Sequence, residues 1–204
     1  MIMKKIMMIA AMMVATLTAS AQFEPGTFSL QPKVGIGFSE ITDDNAKFKF
    51  GIGAGFEGQY QVNNWLGLSG AVMYQQMGSK VKHFDDAKIE LEYIHVPLMA
   101  KFYVTKGLSL NAGLQPGFLT KAKVSGYGTD VDVKDDCNKF DLCVPLSVAY
   151  ELPMGLTFEA RYNYGIIDVA KDYDHGSNKA SNFSEEIDDK NLMFQITVGY
   201  KFAL

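Results

Sequence analysis

Asn191 to Phe202 constrains the fold more than any other stretch of the chain. It reads N-L-M-F-Q-I-T-V-G-Y-K-F, with Leu192, Phe194, Ile196, Val198, Tyr200 and Phe202 all apolar. The intervening Met193, Gln195, Thr197, Gly199 and Lys201 are mostly polar or small. A period of two places the sets on opposite faces of a strand. About a dozen residues is roughly what a tilted strand needs to cross a bilayer. Such a strand at the end of a chain is expected to pair with the first one, because an open sheet edge is not tolerated in hydrocarbon.

The other end of the sequence carries an export signal. Lys4 and Lys5 precede an apolar run from Ile6 to Leu17, and Ala19-Ser20-Ala21 forms an A-x-A cleavage site before Gln22. Residues 1–21 are therefore read as a signal peptide cleaved after Ala21, and 22–204 as the mature domain. Cleavage removes two lysines and no acids, so the net charge falls from −4 to −6. That balance lacks the basic stripe of a nucleic-acid binder. No cysteine follows the signal core to carry a lipoprotein anchor.

Seven further stretches repeat the alternation. They run from Thr27 to Ser39, Lys47 to Val62, Trp65 to Met77, Ile89 to Thr105, Leu108 to about Lys121, Lys139 to Leu152 and Leu156 to Ile167. Pro32 removes a ladder donor from the first, so an irregularity is expected there. In the fourth, Ile89, Leu91 and Tyr93 have the opposite parity to Ile94, Val96 and Leu98, and a bulge near Tyr93-Ile94 would keep both sets on the apolar face. Three short turns (Asn63-Asn64, Lys106-Gly107, Pro153 to Gly155) alternate with four longer polar connections, as outer-membrane barrels do.

The small and polar set must face a narrow lumen, which leaves the apolar set for lipid. Aromatics fall at both ends of the strands. Trp65, Phe102, Tyr150, Phe158, Tyr200 and Phe202 form one girdle near the short turns, and Phe48, Phe50, Tyr74, Phe118, Phe140 and Tyr164 lie toward the long loops. A soluble barrel would put its apolar face inside. The expected fold is all-β: an eight-stranded antiparallel up-and-down transmembrane β-barrel in the bacterial outer membrane.

Four segments resemble the outer-membrane β-barrel proteins of Bacteroidota, the PorT-like "porin family" barrels. They are S-A-Q (Ser20 to Gln22), L-E-Y-I-H-V-P-L-M-A-K-F (Leu91 to Phe102), R-Y-N-Y-G-I-I-D (Arg161 to Asp168) and G-Y-K-F (Gly199 to Phe202). In that family the final residue is often the aromatic, whereas here Ala203-Leu204 follow Phe202. The resemblance implies a barrel exported through the periplasm, inserted by the barrel assembly machinery and held in outer-membrane lipid. It also makes a tie to secretion-machine assembly a family-level possibility.

An eight-stranded barrel has a lumen just wide enough for side chains to fill. The expected inward network is Lys33, Glu57, Gln59, Lys101, Glu151, Glu159, Arg161, Gln195 and Lys201, joined by Glu92, Asp141, Gln75, Gln115 and Asn163. Lys33 and Arg161 are expected to meet Glu57 or Glu159. Such a core satisfies its own hydrogen bonds and blocks a continuous water path.

His83 and His175 stand in acidic loops, and His95 points inward along the fourth strand. None has a nucleophile motif or metal-ligand spacing beside it. The acidic runs at Asp43-Asp44, Asp130 to Asp136 and Asp172 to Asp189 lack the spacing of a calcium loop. Cys137 and Cys143 would lie roughly 20 Å apart on an extended strand, so they bridge only if the chain turns back before Phe140. No cofactor, metal or catalytic residue is expected.

The sequence thus points to a monomeric, non-enzymatic barrel serving envelope structure or binding an unidentified surface ligand through its long loops. A narrow pore for small solutes or ions is the first rival. An enzyme acting on outer-leaflet lipid is the second.

Overall fold

The computed structural model describes residues 24–41, 46–81, 88–126, 129–135, 137–169 and 190–204. The expected signal peptide, most of the long-loop residues, His83 and His175 lie outside them. Within these residues the chain forms β1 (Phe28–Ile41), β2 (Ala46–Gln61), β3 (Leu66–Val81), β4 (Lys88–His95) and β5 (Leu98–Tyr103). It continues through β6 (Leu108–Gly126), β7 (Thr129–Asp132), β8 (Phe140–Glu151), β9 (Leu156–Asp168), β10 (Lys190–Tyr200) and β11 (Phe202–Ala203).

Each strand pairs antiparallel with its neighbour, and β10 returns to β1. β4 and β5 make one stave, β10 and β11 another, and β7 folds back on the end of β6, so the closed wall has eight staves. The seam runs from Lys33↔Gly199 to Ile41↔Asn191, with Val34↔Val198 and Phe38↔Phe194 as outward pairs. Below it, Leu30 pairs with Phe202, and the Leu204 amide donates to the Phe28 carbonyl at 2.9 Å. The residues after Phe202 are thus part of the ladder.

Closure fixes which side chains go where. Along β10, Met193, Gln195, Thr197 and Gly199 point into the lumen, while Phe194, Ile196, Val198 and Tyr200 stand outside. The same alternation runs round the wall, so the exposed surface is largely Val, Leu, Ile, Phe and Tyr. That arrangement leaves the interior to polar groups, the reverse of a water-soluble barrel.

Four details depart from the pattern read in the sequence. The fourth stave is not continuous, since Val96 and Pro97 separate β4 from β5. Pro97 has no amide hydrogen, and the pairing resumes beyond it in the same register with β6. At Pro32 the β2 register runs unbroken, from Phe28↔Tyr60 to Ser39↔Lys49. The interruption falls instead on the closing stave, which breaks at Lys201 between β10 and β11. There the Lys201 amide donates to the Gly155 carbonyl of the β8–β9 turn at 2.8 Å.

The third departure concerns the bulge near Tyr93. It sits on β6 rather than β4: Glu92 pairs with Lys121 and Tyr93 with Leu119, leaving Thr120 as the extra residue. β4 therefore keeps a single parity, and Leu91 and Tyr93 point inward with His95. The fourth is length. β3 and β6 run past their expected ends at Met77 and Lys121, and β7 adds a hairpin where only a polar loop was expected. The extension of β3 depends on Gly78. Its φ is +129°, and an added Cβ would collide with the Ile89 carbonyl.

Candidate functional site

The lumen is layered, beginning at the end that carries the short turns. Gln31 of β1 there donates to Thr157 of β9, bridging the stave between them. Lys201 pairs with Glu151 and donates to the Gln59 amide oxygen at 2.9 Å. Tyr103 closes this ring, accepting from Gln59 at 2.7 Å and donating to Glu151 at 2.8 Å.

The next layer holds five charges. Lys33 stands between two carboxylates, 3.0 Å from Glu57 and 2.5 Å from Glu159. Lys101 reaches Glu57 from β5. Arg161 grips the other carboxylate from the same strand, its Nε and Nη2 lying 3.0 and 2.8 Å from Glu159 Oε1. Ser147 donates to that oxygen at 2.6 Å and accepts from Asn111 at 3.0 Å. The chain of contacts thus runs from β5 through β2, β1 and β9 to β8 and β6, spanning the lumen. Above it Gln75 donates to Gln195 at 2.9 Å.

Among the described residues the buried charges balance. Lys33, Lys101, Arg161 and Lys201 face Glu57, Glu151, Glu159 and Asp141. Three of these carboxylates contact a Lys or Arg. Asp141 does not: its neighbours are His95, with Nε2 at 3.6 Å, the Cys143 thiol at 3.3 Å and the Asn191 amide at 3.3 Å. Over this layer lies an apolar cap of Met77, Leu91, Tyr93, Leu119, Ala122, Cys137, Val169 and Met193.

All nine residues of the network read from the sequence are buried in the lumen, as are Asp141, Gln75, Gln115 and Asn163. Glu92 is not. It faces outward and is joined to Lys121 at 2.8 Å, because β4 carries no bulge to turn it in. Sequence reading also missed the cap. The alternation puts Leu91 and Tyr93 on the outer face, whereas the outer face of β4 and β6 at that height carries Glu92, Thr120 and Lys121 instead.

The trio of His95, Asp141 and Cys143 was missed as well. His95 lies on β4 and the other two on β8, so no short motif could show them together. Only their shared inward parity at matching heights signals it. Cys137 and Cys143 are both buried and are not joined in a disulfide. Trp65, Phe102, Tyr150, Phe158, Tyr200 and Phe202 all stand on the outside near the short turns, with Trp65 stacked on Phe102 at 6.2 Å.

A closed antiparallel barrel of eight staves, apolar without and polar within, defines the class of outer-membrane barrel proteins. Residues 20–171 match the model of the outer membrane protein beta-barrel domain, and the chain belongs to that family. It is a protein of the bacterial outer membrane. Among solved structures, Ail, the attachment invasion locus protein of Yersinia pestis, superimposes with a TM-score of 0.52. The two share 20% identity, over 88% of this chain and 100% of Ail. That structure is a complex with the heparin analogue sucrose octasulfate. Neisserial surface protein A gives 0.47 at 15% identity, covering 85% of this chain and 95% of its own. OprG from Pseudomonas aeruginosa gives 0.45 at 14%, covering 89% and 98%. At such identities the likeness is one of fold. No curated protein matches the sequence.

Proposed function

We propose that this protein is a non-conducting, non-enzymatic barrel that holds an interaction surface above the outer membrane. One observation carries the reading. The pairs of Lys33, Glu57, Lys101, Glu159 and Arg161 cross the lumen from wall to wall, and the apolar cap closes it again nearer the long loops. An ion would have to strip buried, mutually satisfied charges and then pass an apolar layer.

The length of the strands supports a role above the membrane. β6 has 19 residues, roughly eight to ten more than the 9–11 a tilted strand needs to span a bilayer. The wall and the β6–β7 hairpin therefore rise beyond the lipid on the long-loop side, the extracellular side of such barrels. The loop sequences there are acidic, notably Asp130 to Asp136 and Asp172 to Asp189. A cationic partner suits them better than a polyanion such as the sucrose octasulfate in the Ail complex.

Planar-bilayer recording of the refolded protein, once its heat-modifiable gel shift shows a folded barrel, tests the plug. A barrel that inserts and never conducts supports the reading. Steady, salt-dependent steps that change with Glu57→Gln or Arg161→Gln would replace it with the narrow pore. The lipid-modifying alternative needs a base at a rim, and His95, the one histidine among the described residues, is wholly enclosed.

A further inference from the structure

Asp141 is the one buried carboxylate that contacts no Lys or Arg among the described residues, and the groups around it are metal ligands. His95, Asp141 and Cys143 offer a ring nitrogen, a carboxylate oxygen and a thiol sulfur, all within 4.8 Å of one another. Their residues are 0%, 3% and 0% exposed. Neither ring nitrogen of His95 has a hydrogen-bond partner, nor has Asp141 Oδ1. A buried imidazole with both nitrogens unmatched is costly unless something else meets it.

From this geometry we propose that His95, Asp141 and Cys143 form a binding site for a zinc-class divalent cation inside the barrel. Two ligands at tetrahedral positions around zinc are about 3.3–3.7 Å apart. The His95–Asp141 and Cys143–Asp141 separations of 3.6 and 3.3 Å already match such edges. Three protein ligands leave the fourth corner for a water. Nitrogen, sulfur and oxygen together select zinc over magnesium or calcium, which take oxygen alone.

Charge balance favours the same ion. The cation displaces the Cys143 proton to solvent, and one thiolate, one carboxylate and a neutral imidazole then cancel its two charges. The surroundings hold the donors in place. Asn191 donates to Asp141 Oδ2 at 3.3 Å, and Tyr93 stacks on the imidazole at 5.2 Å. Gly117 makes room for the ring, since a Cβ there would lie 2.6 Å from His95 Nε2. Because the cap covers the site, loading belongs to the folding step, as it does where a metal site is completed only on folding.

The test is to refold the full chain into detergent with Co²⁺, a spectroscopic stand-in for Zn²⁺, and desalt it. One retained equivalent is expected, with the visible bands of tetrahedral cobalt and a near-ultraviolet thiolate charge-transfer band. Refolding with Zn²⁺ in excess should suppress both. Cys143→Ser should abolish the charge-transfer band, whereas Cys137→Ser, in the cap, should keep it. His95→Gln should weaken retention by more than the roughly 10–100-fold that even outer-shell partners carry.

A folded wild-type barrel that retains no cobalt would overturn the proposal. Loss of the band in Cys137→Ser, or its survival in a folded Cys143→Ser barrel, would overturn it equally. If Cys143→Ser does not fold, the wild-type and Cys137→Ser spectra still decide, because the chain has only these two thiols.

Discussion

The two ends of the lumen are filled by opposite means. Near the short turns the filling is ionic: Lys33, Glu57, Lys101, Glu159 and Arg161 are held by paired charge and hydrogen bonds. Toward the long loops, Met77, Leu91, Tyr93, Leu119 and Met193 fill the same cross-section by packing. The lower region lies where the outer face meets hydrocarbon, and the upper one where the wall has begun to leave it. A barrel whose outside is apolar cannot gain much from hiding apolar groups within the bilayer, since lipid already takes them. Above the bilayer, burial from water stabilises again.

The two fillings should break differently. The largest loss is expected from Glu57→Gln, which leaves Lys33 and Lys101 competing for partners. Removing one member of a buried pair costs about 3–5 kcal/mol, read from urea unfolding in detergent. Adding Lys101→Met should recover much of that loss, and no recovery would mean that the network is not electrostatic in origin. In the cap, Leu91→Ala should cost about 2–4 kcal/mol by the same measurement, and Leu91→Met less than about 1.5 kcal/mol. There, shape matters and charge does not.

Smaller effects sharpen the boundary between the regions. Gly78→Ala should cost about 1–3 kcal/mol, from its backbone conformation and the Ile89 carbonyl, with proteolysis showing a frayed β3 end. Glu57→Gln and Arg161→Gln share Lys33 and Glu159 as intermediaries. A double-mutant cycle should therefore show a coupling of about 0.5–3 kcal/mol, and strict additivity would mean two separate networks. Glu92→Gln should leave the melting temperature unchanged, because its pair with Lys121 is partly solvated on the outer surface.

The eight staves were legible because a period of two, carried by pairs such as Phe194–Gln195 and Val198–Gly199, survives every neighbour. The polar half of the lumen was legible for the same reason. Reading failed where the solvent changes along a strand. Ile89, Leu91 and Tyr93 look lipid-facing if the bilayer is assumed to continue, and a bulge on β4 was the price of that assumption. The bulge belongs to β6, where Thr120 carries no visible sign of it. Pro32 was a genuine signal whose effect landed across the seam at Lys201. The His95, Asp141 and Cys143 cluster depends on register between strands separated by more than forty residues, which alternation alone does not supply.

The seam has a consequence for synthesis. β1 finds its second neighbour only in the last fifteen residues, Lys190 to Leu204. Every other stave can pair with the one before it as it emerges, but a chain lacking this tail keeps two raw edges. Lipid offers nothing to pair with them. The wall therefore cannot ratchet shut piece by piece in the membrane: β1 and β9 both keep an open edge until the β10–β11 stave fills the gap between them.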